Sequence, residues 1–320
     1  MRIERVCILG GSGFVGRHLA NRLQPEGIRI RVPTQRRERA RHLLIVPGVE
    51  LIEADIHDTQ RLTELFQDVD AVINLVGILN ESGSDGSGFR RAHVELTEKA
   101  LAACRQAGVK RYLHMSALGA DAHRGPSFYQ KTKGEAEELA RAAHSDDLAV
   151  TIFRPSVIFG HEDSFFNRFA GLLKVAPGIF PLPTPWARFA PVYVGDVCEA
   201  FVLSLRDRDT FGQTYDLCGP KEYNLKELVD YTARLAGLKR IVWPAPDWLS
   251  RLQAKLLGLW PTKPYSRDNY LSATVDNVSS DNGLPKLGIH PTAVEAVVPA
   301  YIGARHIRGL YNQFRKTARR

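Results

Sequence analysis

A chain of 320 residues, 44% of them hydrophobic, is long enough to bury a full core as one large domain or two smaller ones. No apolar run approaches the ~18–20 residues of a membrane span, and the N-terminus has neither the length nor the cleavage site of a signal peptide. A reducing, cytoplasmic compartment is therefore expected. It is consistent with this that Cys7, Cys104, Cys198 and Cys218 are scattered without a C-x-x-C pair and that the histidines form no ligand cluster, so neither a disulfide frame nor a metal site is expected. The formal net charge is +8, with much of the excess at the end: 296–320 hold Arg305, Arg308, Arg315, Lys316, Arg319 and Arg320 and no acid. Such a tail either draws the chain to an anionic membrane or acidic partner or is a solvated terminus. No nucleic-acid partner is expected.

In chain order, apolar patterning predicts strand 6–9, helix 15–23, strand 28–32, a short helix 38–44, strand 49–53, helix 60–66 and strand 71–76. There follow helix 89–106, strand 112–115, helix 130–143 and strand 149–153. Strands spaced by helices imply an α/β fold, a doubly wound parallel sheet with helices on both faces. Between strand 71–76 and the next helix, 81–88 (ESGSDGSG) reads as a flexible loop. After Pro155 the texture changes. The proline- and aromatic-rich stretch 177–191 reads as a long loop, and 192–204, 225–237 and 294–303 as short strands and helices of a smaller cap.

Gly10-Gly11-Ser12-Gly13-Phe14-Val15-Gly16 is a G-x-x-G-x-x-G turn between the first strand and helix. There its glycines let the backbone approach a pyrophosphate, and the helix N-terminus offers free N–H groups to the anion. An NAD site carries an acid ~20 residues on for the ribose 2′-hydroxyl. Here the second strand ends Arg31-Val32-Pro33-Thr34-Gln35-Arg36-Arg37, with no acid before Glu38. Arg36 and Arg37, with Arg17, suit a 2′-phosphate, so NADP(H) is favoured over NAD(H). Asp55 and Ile56 are expected near the adenine, and Val76 and Gly77 beside the cofactor. Residues 1–155 thus read as an NADP-binding Rossmann domain with returning segments near 190–220. The remainder, 156–190 and 221–320, reads as a substrate or cap region and the basic tail.

Tyr129 and Lys133 form Y-x-x-x-K at a helix start, one turn apart on one face, and Ser116 closes the preceding strand at the ligand-binding edge. A tyrosine hydroxyl titrates near ~10, too high for a base at neutral pH. A neighbouring lysine favours the phenolate, so Tyr129 would exchange a proton with substrate, Lys133 would also hold ribose and Ser116 would bind the reacting oxygen.

Together these motifs resemble the short-chain dehydrogenase/reductase superfamily in its extended and atypical branches, over residues 3 to about 235. Arg154-Pro155-Ser156 leading to Gly160, Val192-Tyr193-Val194-Gly195-Asp196-Val197 and Gly212-Gln213-Thr214-Tyr215-Asp216-Leu217 are similar to later segments of that family, with Pro155 at the cofactor. Stretches 264–269, 275–278 and 287–292 resemble bacterial relatives of the NADPH-binding accessory subunit of mitochondrial complex I, a group also similar to accessory proteins of ubiquinone synthesis. Leu9 stands where threonine is frequent, His93 where an asparagine often helps a proton relay, and the Ser116–Tyr129 gap is short. These departures weigh against a sugar-nucleotide substrate and against full catalytic competence.

Two readings follow: an NADP(H)-dependent oxidoreductase acting through Ser116, Tyr129 and Lys133, or a nucleotide-loaded accessory or assembly protein of a respiratory or quinone-handling complex. A sugar-nucleotide epimerase or dehydratase is a weaker third. Phe180, Trp186 and Phe189 are expected to face the nicotinamide, which suits an apolar small-molecule substrate. In 247–260, Leu249, Leu252, Leu256 and Leu259 fall along one helical stripe between Trp248 and Trp260. This stripe either lies at the inner face of a membrane as a peripheral contact or packs inward.

Overall fold

The computed structural model describes residues 2–258, 263 and 265–303. In chain order it begins β1 (Arg5–Leu9), α1 (Phe14–Leu23), β2 (Arg29–Thr34), β3 (Val49–Glu53), α2 (Thr59–Leu65), β4 (Ala71–Asn74) and α3 (Ser87–Arg90). A π-helical segment (Arg91–Glu95), α4 (Leu96–Ala107), β5 (Arg111–Met115), α5 (Phe128–Ala142) and β6 (Ala149–Pro155) follow. With strand Thr214–Leu217 these build a seven-stranded, wholly parallel sheet in the order Thr214–Leu217, β6, β5, β4, β1, β2, β3. The order reverses between β1 and β4, and ligands of open α/β sheets bind at the carboxyl ends of the strands beside such a point.

Alternation along the strands feeds both faces. Cys7 and Leu9 of β1, Tyr112 of β5 and Val150 and Ile152 of β6 pack with α2, α4 and α5. The opposite face, with Phe153, meets the helix Val194–Ser204, whose Phe201 ring lies 4.3 Å from that of Phe153. The Cys198 thiol of the same helix donates to the carbonyl of Val15 in α1.

Where local structure departs from the pattern, side-chain hydrogen bonds explain it. β4 stops at Asn74, short of Val76, because the Asn74 side chain accepts from the Val76 N–H at 3.1 Å and turns the chain. The helix expected at 38–44 is a 3-10 helix, Arg37–Leu43. Segment 81–88 is tied down: the Glu81 carboxylate accepts from the N–H groups of Gly86 (2.8 Å) and Gly88 (2.9 Å). At the amino end of β5 a fully buried guanidinium, that of Arg111, donates to the carbonyls of Ala149 and Ser204 and to the hydroxyls of Thr151 and Thr210. It also lies 4.5 Å from the Phe211 ring centroid. Burial lowers its pKa to about 9.

The chain forms two compact units. The sheet unit comprises the chain up to Pro155, Val194–Leu217 and Ser279–His290. The last segment, assigned to the cap on sequence, joins the sheet unit because Asn282 bridges to Asp216 and Ser279 donates to the Asp216 carboxylate. The other unit comprises Ser156–Tyr193, Cys218–Val278 and the chain from Pro291. Its proline-rich stretch is not loop throughout: strand Ile179–Leu182 pairs in parallel with Ile241–Pro244, and Arg188–Phe189 pairs with Tyr223–Asn224. Phe180 and Phe189 pack on a core of Leu173, Leu182, Leu225 and Val229, while Trp186 is exposed. No helix among the described residues is long and apolar enough to cross a membrane.

Candidate functional site

At the carboxyl edge of the sheet, the turn Gly10–Gly16 joins β1 to α1. Gly10 has φ 77°, and a Cβ there would lie 3.2 Å from the backbone of Leu75 and Val76. A Cβ on Gly16 would come within 2.4 Å of Gly11 Cα, so only glycine lets α1 pack this tightly on the turn. Gly13 precedes the helix in extended conformation and places no side-chain acceptor over the first-turn N–H groups of Phe14 and Val15. This cradle fits a pyrophosphate, with Ser12 half-buried within it. Arg17 Nε donates to the Gly13 carbonyl at 3.4 Å, keeping its guanidinium on the first turn.

Arg36 and Arg37 lie exposed just beyond β2 and pair with no carboxylate among the described residues. Asp55 and Ile56 follow β3, the former exposed and accepting from the His57 N–H at 2.9 Å. Val76 and Gly77 follow β4, and Pro155 closes β6 with its carbonyl accepting from the Leu118 N–H at 3.0 Å. All of these groups sit at the ends of neighbouring parallel strands.

Behind Gly77 is a buried polar cluster. Lys133, on α5, is buried, and its ammonium donates to the carbonyls of Met115 (2.8 Å) and Val76 (3.2 Å). It therefore joins the ends of β5 and β4. A Cβ on Gly77 would stand 3.2 Å from Lys133 Nζ. Desolvation lowers the Lys133 pKa to about 8, against the opposing pull of Glu137. Tyr129, one turn earlier, is half-buried, its ring edge-on to those of His93 (5.6 Å) and Phe89 (6.3 Å).

The His93 tautomer follows from its partners. Nε2 accepts from the Ile78 N–H at 3.1 Å, so Nδ1 carries the proton and donates to Thr132 Oγ1 at 2.8 Å. The Thr132 hydroxyl in turn donates to the Phe128 carbonyl. Burial, with the charge of Lys133 adding to it, lowers the His93 pKa to about 2, so the ring is neutral. His114, also buried, has its pKa lowered to about 3 by burial, and neither ring nitrogen meets a partner among the described residues.

Ser116 is buried at the end of β5, and its hydroxyl donates to Glu137 at 2.8 Å. The buried Glu137 carboxylate also accepts from Arg154 (2.8 and 2.5 Å) and Arg141 (2.6 Å). Its proton engaged there, Ser116 can donate to a reacting oxygen only by releasing Glu137. Glu137, Thr132 and His114 were not singled out from sequence, and Arg154 was noted only as the start of a family-like segment. The available signal was Lys133, Glu137 and Arg141 at four-residue spacing on one helix face. Among the described residues no three His, Cys, Asp or Glu side chains gather to hold a metal.

Residues 6–224 match the NAD dependent epimerase/dehydratase family. Over 296 residues the chain is 29% identical to NADH dehydrogenase (ubiquinone) 1 alpha subcomplex subunit 9, mitochondrial, of Mus musculus, covering 90% of this chain and 77% of that one. It is 26% identical over 277 residues, 80% of each chain, to 4-hydroxy-2-methyl-3-oxo-4-farnesyl-3,4-dihydroquinoline-1-oxide ketoreductase of Stigmatella aurantiaca. Among solved structures it is similar in fold to the dTDP-glucose 4,6-dehydratase DesIV of Streptomyces venezuelae, bound to NAD, with a TM-score of 0.73, 21% identity and coverage of 98% and 99%. With its glycine turn, reversed strand order and Tyr129–Lys133 helix inside the matched span, the chain belongs to the NAD dependent epimerase/dehydratase family, a nucleotide-binding Rossmann family.

Proposed function

We propose that this protein binds NADP(H) and works as an oxidoreductase that interconverts a carbonyl and an alcohol on an apolar small molecule of quinone or respiratory metabolism. The observation that carries the reading is Lys133, buried beneath Gly77, held by two carbonyls and one helical turn from Tyr129. The nicotinamide, when bound, supplies or takes the hydride. Tyr129 Oη gives or takes the proton at the substrate oxygen. Lys133, with two of its three N–H bonds on carbonyls, keeps the third for ribose, and its charge favours the phenolate of Tyr129. Neutral His93 supports the Tyr129 ring without adding charge. Arg36 and Arg37 hold the 2′-phosphate. The ketoreductase named above supports the carbonyl chemistry.

The test is mass spectrometry of the nucleotide retained on the purified protein, followed by NADPH oxidation against a panel of apolar ketones and quinones. Retained NADP(H) and turnover that Tyr129→Phe abolishes are expected. Retained NADP(H) with no turnover on any member would overturn the catalytic part.

A second reading, a nucleotide-loaded accessory or assembly protein of a respiratory or quinone-synthesis complex, is favoured by the engagement of the Ser116 proton with Glu137 and by similarity to the mouse subunit. In both readings we place the protein in the cytoplasm, peripheral to the inner face of the membrane.

A further inference from the structure

An amphipathic helix ordinarily turns its large apolar side chains inward. The helix Asp247–Gly258 of the second unit does the reverse. Its buried residues are the small Ser250 and Ala254, whereas Trp248, Leu252 and Leu256 are exposed, Trp248 by 66%. These three recur every four residues and form one outward stripe. The inner face is seated by contacts that small residues permit: the Thr184 N–H donates to Ser250 Oγ (3.3 Å), and Gln253 Nε2 donates to the Pro181 carbonyl (3.4 Å). The preceding strand behaves likewise. Val242 is buried, while its neighbours Ile241 and Trp243, on the opposite face of the strand, are exposed, Ile241 by 67%. Ile241 stands in register with the exposed Ile179 of the neighbouring strand.

We infer that the outward stripe of Trp248, Leu252 and Leu256 is a docking surface for an anionic lipid bilayer, with Ile241 and Trp243 as further exposed apolar residues of the same unit. Charge selects the occupant. Between positions 231 and 266 the chain carries Arg234, Lys239, Arg240, Arg251, Lys255 and Lys263 against one acid, Asp247, which Arg251 pairs at 2.8 Å. The chain beyond Gly303 adds only basic charge. A second copy would bring the same positive field against itself, whereas an anionic surface accepts tryptophan, leucine and cations together. The inference deepens the peripheral placement proposed above and is independent of the catalytic reading.

The experiment is flotation of the full chain with vesicles of phosphatidylcholine alone or mixed equally with phosphatidylglycerol, at low and high salt. Flotation with the anionic vesicles at low salt is expected, weakened by salt. Because Leu252 and Leu256 are exposed, the double variant L252E/L256E should fold, bind NADPH as the parent does, and lose about tenfold or more of its partitioning. No flotation with anionic vesicles at low salt would overturn the proposal, as would flotation unchanged in L252E/L256E. A dimer that L252E/L256E converts to monomer with no flotation of either protein would overturn it in favour of a second copy. Calorimetric NADPH affinity on the same samples keeps failure of this surface distinct from failure of the cofactor reading.

Discussion

Ser116 donates its hydroxyl proton to Glu137 at 2.8 Å, inside a carboxylate that two arginines already hold. The serine thus serves the buried ion pair before it can serve a substrate. Glu137→Ala strands Arg154 and Arg141 and should cost about 3 kcal/mol, the low end for a broken buried pair because both arginines are partly solvated. Ser116→Ala should cost about 1–2 kcal/mol and retain turnover. Urea denaturation and steady-state kinetics on the two variants check this. Full loss of turnover in a stable Ser116→Ala protein would return the serine to the chemistry.

The proposed preference for NADP(H) assigns the 2′-phosphate to Arg36 and Arg37. NADPH should bind more tightly than NADH by about tenfold or more, the scale of one charged hydrogen bond. R36A/R37A should erase most of that difference while leaving NADH affinity nearly unchanged. Calorimetry showing tighter NADH binding by the parent would refute it.

Tyr129→Phe keeps the ring against His93 and Phe89 and removes only the hydroxyl. Turnover should fall by about 10²–10⁴, with NADPH affinity within about twofold. Lys133→Met should weaken both. Since Lys133 titrates at about 8, its charge is present below that pH and lost above it. NADPH affinity of the parent should therefore decline as pH rises through 8, and that of Lys133→Met should not.

His93 and His114 give the fold an acid sensitivity. Both fall well below the ordinary value of 6.5 on burial, to about 2 and about 3. Below pH 6.5 the unfolded chain binds protons that the folded chain refuses, so stability falls as pH drops, by about 1.4 kcal/mol per pH unit for each ring. His114→Leu should recover about 2 kcal/mol relative to the parent between pH 6.5 and 5, read from urea midpoints at a series of pH values. Parallel curves would show that His114 titrates normally.

Most of the sheet unit was legible in the sequence because its strands and helices repeat apolar residues at their own periods, and because the glycine turn sits where a strand meets a helix. What escaped depends on contacts distant along the chain. Strand Ile179–Leu182 exists by pairing with residues sixty positions on. Arg154 reaches Glu137 from a neighbouring strand, and Asp216 draws in Ser279. Of the leucine stripe expected in 247–260, Leu252 and Leu256 face out and Leu249 is half-buried, while Leu259 and Trp260 lie outside the described residues. The Thr184 N–H seats Ser250 on the inner face of the helix, which leaves Leu252 and Leu256 turned out.

Arg111 sets an order on how the protein comes into being during synthesis. Of its partners, Ala149 and Thr151 are translated soon after it, but Ser204, Thr210 and Phe211 are translated much later. A nascent chain of 155 residues lacks the segments that cover this guanidinium, and it lacks Phe201, against which Phe153 packs, so one face of the sheet stays open to water, a loss comparable to much of a domain's net stability. The sheet should therefore close only after the chain has passed through the second unit and returned. Produced alone, residues 1–155 should show no cooperative melting, and supplying the remainder of the chain in trans should restore it.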